Sequence, residues 1–163
     1  MTIDEVLTII NVILTGITGY GAYKANKAYQ KSKILNIYTH SNKALIEVQK
    51  MLTTLPGALN AVKRSGAKGH NGLKQLQEVG NVLNESLNEV MKNISSSSYT
   101  KINEFIVKEG FDIRQYINSY ISGDAYDELA ESNEKYSLFQ SRLLEMQNYF
   151  INEIEHIGDK INE

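Results

Sequence analysis

The chain's 163 residues carry 17 Lys/Arg and 19 Asp/Glu for a net charge of −2, with no cysteine, one proline and 42% hydrophobic residues. That length is one domain's worth of chain, enough for a real core, and the lack of cysteine excludes disulfides, thiolate metal sites and a cysteine nucleophile. The near-zero total hides an asymmetry: residues 1–123 hold 14 Lys/Arg against 9 Asp/Glu, and residues 124–163 hold 3 against 10, so the chain is basic first and acidic last.

The first predicted element is the uncharged run Val6 to Tyr23, preceded by Asp4 and Glu5 and followed by Lys24, Lys27, Lys31 and Lys33. At about 1.5 Å per residue such a helix covers about 27 Å, close to a hydrocarbon core of about 30 Å, so it reads as a transmembrane helix over residues 1–23. The charge flanks then place its start outside a cell inner membrane and the rest of the chain in the cytoplasm. Tyr20 and Tyr23 fall at the membrane interface, with Lys24, Lys27 and Lys31 reaching the headgroups of the lipid bilayer. A cleaved secretory signal is not expected, because the basic residues follow the apolar run instead of preceding it.

Inside the run, Thr8, Asn11, Thr15, Thr18, Ala22 and Ala25 recur at alternating steps of three and four, a seam of polar and small side chains. Leu7, Ile9, Ile10, Val12, Ile13, Leu14 and Ile17 occupy the other faces and suit lipid. Between helices in lipid, small residues allow close approach, and hydroxyls and amides hydrogen-bond across the contact. An amide such as Asn11 at mid-span needs a partner or water. The expectation is a homo-oligomer of three or more chains, with Thr8, Asn11, Thr15, Thr18 and Ala22 as its seam or pore lining.

Neither Pro nor Gly interrupts the chain between Gly21 and Pro56, so a stalk helix over 24–55 continues the span, with Ile34, Ile37, Tyr38, Leu45, Val48 and Leu52 in three-four rhythm and Ser41 in the same register. Leu55-Pro56-Gly57 predicts a turn and Ala58 to Lys63 a short helix. Gly66, Gly69 and Gly72 then space a loop holding Lys63, Arg64, Lys68, His70 and Lys74. Such a loop turns backbone N–H groups and cations toward an anionic small molecule, nucleotide or lipid, although it lacks the GxxxxGK[ST] spacing of a P-loop.

Leu73 to Ile94 predicts a helix, Ser95 to Ser98 a linker or N-cap, and Tyr99 to Glu109 another amphipathic helix with Gly110 as C-cap or kink. Asp112 caps a continuation through Tyr120. Asp124 is read as the N-cap of a last helix over 124–161, in which Leu129, Ser132, Tyr136, Phe139, Leu143, Met146, Phe150, Ile154, Ile157 and Ile161 form a coiled-coil-like seam. No segment alternates with period two long enough to predict a strand. The fold class is all-α: a membrane helix, its stalk and a cytoplasmic helical bundle over 56–163.

Chemistry is sparse. His40, His70 and His156 are far apart, no GxSxG or HExxH occurs, and the one ExxH, Glu153 to His156, is a single copy of a motif that di-iron bundles use in pairs; it is read as lying on a wet helix face. The tyrosines sit on apolar helix faces and read as packing. No enzyme, metal or cofactor is expected, and no duplex nucleic acid, since the basic residues lack interleaved aromatics. Richness in Asn, Ile, Lys and Tyr suits a low-GC bacterium or its phage. The layout is similar to that of small membrane-disrupting effectors of antiphage defence, where a soluble sensor controls a membrane segment; no motif carries that likeness. The expected function is therefore an oligomeric, ligand-gated pore or membrane-disrupting effector. The alternative is a non-conducting helical scaffold, either anchored or a soluble bundle with residues 6–23 as core.

Overall fold

The structure, a computed structural model, describes residues 3–64 and 70–162; the side chains of 3–7, 9–11, 13, 64, 70, 161 and 162 are outside the description. It is all-α. Helix α1 runs unbroken over Ile3–Thr54, 52 residues or about 78 Å. It is followed by α2 (Pro56–Arg64), α3 (His70–Asn93), α4 (Ser96–Ile106), α5 (Ile113–Ser122), α6 (Ala125–Glu131) and α7 (Glu134–Asn162).

Helix α1 ends where the sequence forces it to. Leu55 precedes Pro56, which disfavours helical backbone at the residue before it, while Pro56 itself suits the first position of α2 because its missing N–H has no intrahelical acceptor there. Only the latter part of α1 enters the body: Ser41, Ala44, Val48 and Met51 are buried, in steps of three and four, and Leu55 just past its end keeps the register. The stretch predicted as a stalk helix, 24–55, is helical and continuous with what precedes it as far as Thr54. Its second half is a core helix, packed between α3 and α7.

One core unites the body. Leu76, Leu83, Leu87 and Val90 of α3 meet Ile113, Ile117 and Tyr120 of α5 and the seam Tyr136, Phe139, Leu143, Met146 and Phe150 of α7. Each fully buried aliphatic or Phe side chain contributes about 1.5–3 kcal/mol relative to exposure. Gly80 marks the closest approach of α3 and α5: a Cβ there would lie 2.8 Å from Ile121 Cγ1 and 2.9 Å from Tyr120 Cβ.

An aromatic cluster closes one end, with the Tyr116 ring 4.9 Å from Tyr120, 5.4 Å from Phe111 and 5.8 Å from Phe139 between centroids. Neither the Tyr116 nor the Tyr120 hydroxyl is in hydrogen-bonding geometry with a partner among the described residues. Burial disfavours their phenolates, pushing Tyr116 up to about 12 and Tyr120 further up, and the two hydroxyls are close enough to influence each other's ionisation.

Three local expectations are corrected. Gly110 does not simply end α4: Glu109 (φ 55°) and Gly110 (φ 80°) form a tight turn that pairs a two-residue strand β1 (Val107–Lys108) antiparallel with β2 (Phe111–Asp112). Strands this short escape any reading by periodicity. Asp124 is not a side-chain cap, because its backbone is helical and its carboxylate accepts from Ser122 Oγ at 2.6 Å. The predicted single helix over 124–161 breaks at Ser132, whose backbone is extended (φ −146°, ψ 141°) and whose Oγ accepts from the Glu134 N–H at 3.2 Å, the local competition with helix that serine favours. Asp112, in contrast, caps α5 as expected, accepting from the Arg114 N–H at 2.8 Å, and Ser95 caps α4 through the Ser98 N–H at 3.2 Å.

Among the described residues no helix is long and apolar enough to cross a membrane.

Candidate functional site

The first half of α1 is an arm whose described side chains, as far as Lys33, the chain does not cover. Every described side chain from Leu14 to Lys33 is exposed, and Val12, Leu14 and Ile17 remain 67, 55 and 64% accessible. Among the described side chains a single chain therefore does not bury this stretch as core.

Tyr20, Tyr23, Lys24, Lys27 and Lys31 lie together at the base of the arm, all exposed. Lys24 Nζ sits 4.9 Å from the Tyr20 ring centroid, a cation–π contact of about 0.5–1 kcal/mol at an exposed site. At about 100° per residue, Lys24, Lys27 and Lys31 share one side of the helix and Lys33 takes the other, so the charges form a collar. None of the four has Asp or Glu three or four positions away, where a helical ion pair would form.

Of the proposed seam, Thr8, Thr15, Thr18 and Ala22 are exposed on α1, and the Asn11 side chain lies outside the described residues. Thr18 Oγ1 donates to the Leu14 carbonyl at 2.8 Å, which lowers the cost of a hydroxyl in an apolar setting. The basic loop is less defined. Lys63 and Lys74 are exposed on α2 and α3, whereas Lys68 with the rest of 65–69, and the side chains of Arg64 and His70, lie outside the description.

A polar knot that the sequence reading missed joins the arm's helix to the body. Glu153 on α7, expected on a wet face, is half-buried; it accepts from Ser41 Oγ of α1 at 2.7 Å, Ser98 Oγ of α4 at 2.6 Å and Tyr149 Oη at 3.3 Å. Beside it His40 Nδ1 pairs with Asn93 Oδ1 of α3 at 3.0 Å. Ser41 at a core register position of α1 was the available signal, since a buried hydroxyl must find a partner. Glu153 and His156 do not converge on a metal site: among the described residues no group of three or more His, Asp or Glu is placed to hold an ion.

A cleft of about 390 Å³ opens between α5, α6 and the start of α7, bounded by Phe111, Asp112, Tyr116, Asp124, Glu128 and Lys135. Its carboxylates are already engaged: Asp112 and Asp124 as described, and Glu128 with Lys135 Nζ at 2.6 Å. The carboxylates of the cleft are thus engaged, and the arm with its collar is a feature that the fold leaves unused. Comparison with protein-family models, curated proteins and solved structures returned no match.

Proposed function

We propose that this chain is a homo-oligomeric membrane effector without enzymatic activity: the arm of α1 enters a bilayer, and the helical body at its base controls assembly into a pore or a membrane-disrupting unit. The observation that carries this reading is a continuous helix whose uncharged stretch is exposed at every described side chain while the same helix, farther on, packs a core. Apolar surface in water costs about 25 cal/mol per Å², and large exposed apolar patches mark partners or membranes. Burial in lipid removes that cost. It leaves Thr8, Asn11, Thr15 and Thr18 facing hydrocarbon unless they meet the same seam of other copies, which is why assembly belongs to the proposal.

Full-length protein floated with liposomes tests it. Wild type is expected in the membrane fraction and resistant to salt extraction, with Leu14→Glu/Ile17→Glu released. Wild type that stays in solution, monodisperse without detergent in the presence of vesicles, overturns membrane entry.

One observation favours a second reading. No helix among the described residues is long and apolar enough to cross a membrane, as expected if the arms of several copies cover one another in water to build a scaffold. There Leu14→Glu/Ile17→Glu would dissociate a soluble oligomer.

A further inference from the structure

We infer that the lysine collar at the base of the arm is a binding surface for anionic phospholipid headgroups, so that charge selects the membrane the arm enters; the inference rests on the membrane reading above. From Val6 to Ile46 the sequence has five lysines and no acidic residue, while residues 47–163 hold 12 Lys/Arg against 17 Asp/Glu. The chain is thus divided into a purely cationic helix segment and an acidic body. An anionic leaflet attracts the first and repels the second.

The structure arranges this division along one axis. Lys24, Lys27, Lys31 and Lys33 are exposed, and the described part of the uncharged stretch lies on one side of them with the body on the other. Half-burial begins at Ile34, and Lys24 and Lys27 lie about 15 and about 10 Å farther out along the helix, beyond the Debye length of about 8 Å at physiological ionic strength. Headgroups at the outer part of the collar, Lys24 and Lys27, therefore feel the lysines far more than the body's carboxylates. Tyr20, Tyr23 and Tyr29, at 60, 64 and 65% accessibility, put amphipathic rings among the same lysines, where a headgroup layer accommodates both ring and charge. Because Lys33 lies opposite the other three, the collar contacts a surface all round the helix. That geometry suits a helix entering end-on better than one lying flat, which needs its cations on one face. A nucleic acid would match the charge but not the adjoining apolar run.

The test uses full-length protein and vesicles of phosphatidylcholine alone or with phosphatidylglycerol, at low and high salt. Wild type is expected to prefer the anionic vesicles by on the order of 100-fold at low salt, with the preference shrinking at high salt. The combined variant Lys24→Gln/Lys27→Gln/Lys31→Gln/Lys33→Gln, all at exposed positions, should keep its helix content and its binding to phosphatidylcholine but lose the preference. Equal binding of wild type to both vesicles, a preference that survives in the variant, or tighter binding to a DNA oligonucleotide than to anionic vesicles would each overturn the collar while leaving membrane entry standing. Failure to bind either vesicle removes the membrane reading and this inference together.

Discussion

Ser41 donates its Oγ–H to Glu153 Oε2 at 2.7 Å, tying the helix that carries the arm to α7 across 112 positions of sequence. Ser41 is 3% exposed and Ser98, which donates to the other oxygen of the same carboxylate, 1%. Glu153→Leu removes the shared acceptor and leaves two buried hydroxyls to find weaker partners, so unfolding free energy should fall by about 2–4 kcal/mol in urea titration. Adding Ser41→Ala and Ser98→Ala to that variant should restore part of the loss, because an apolar replacement of both partners leaves nothing unsatisfied. A triple variant no more stable than Glu153→Leu would show that the hydrogen bonds are not what matters there.

Gly80 offers a second test. Alanine usually gains about 1 kcal/mol over glycine in a helix interior. Here the added methyl would meet Ile121 Cγ1 at 2.8 Å, Tyr120 Cβ at 2.9 Å and the Ile121 backbone N at 3.0 Å, and a backbone atom cannot step aside as a side-chain tip can. Overpacking of about 1–3 kcal/mol should then outweigh propensity, giving a net loss of up to about 2 kcal/mol. A Gly80→Ala protein that melts higher than wild type would mean that α3 and α5 are farther apart than the structure places them.

The buried tyrosines give the fold an alkaline limit. A phenol whose pKa is higher in the folded state than its ordinary 10.0 binds more protons folded than unfolded once pH passes 10. Its stabilising contribution is complete below pH 10 and is lost as pH rises through the folded values, with Tyr116 at about 12 and Tyr120 beyond. Stability should therefore decline steeply from about pH 10 upward. Tyr116→Phe/Tyr120→Phe removes both hydroxyls, which have no partner in hydrogen-bonding geometry among the described residues, and should flatten that decline at little cost near neutrality. Denaturation midpoints at pH 8 and pH 11 compare the two proteins, and identical slopes would exclude these tyrosines as the cause.

What the sequence revealed followed from periodicity, and what it concealed followed from contacts between distant positions. Val48 of α1 and the seam from Tyr136 to Phe150 were legible because burial every three or four residues leaves its mark on residue type. The break at Ser132 was not, because Leu129 and Tyr136 keep step across it and only the serine's own hydrogen bond to Glu134 interrupts the helix. Glu153 looked like a surface residue for the same reason: its partners Ser41 and Ser98 lie 112 and 55 positions away. The arm was conspicuous as an uncharged run, but whether the body would fold over it depends on tertiary packing, and the exposure of Val12, Leu14 and Ile17 answers that for a single chain.

The absence of cysteine makes the assembly seam directly testable, since a single introduced thiol can pair only with its copy in another chain. If arms meet along Thr8, Asn11, Thr15 and Thr18 in parallel, the same position in two copies comes within the roughly 5.5–6 Å between Cα atoms that a disulfide requires. Thr15→Cys and Thr18→Cys should then give rapid dimer bands on mild oxidation in membranes. Ile17→Cys, between them in sequence but about 200° round the helix from Thr15, should react slowly. Gel mobility without reductant reads the result. Equal rates at all three positions would indicate collision of unassociated arms, and faster reaction at Ile17 would place the contact on the aliphatic face, so that the threonines and Asn11 would no longer be candidates for a pore lining.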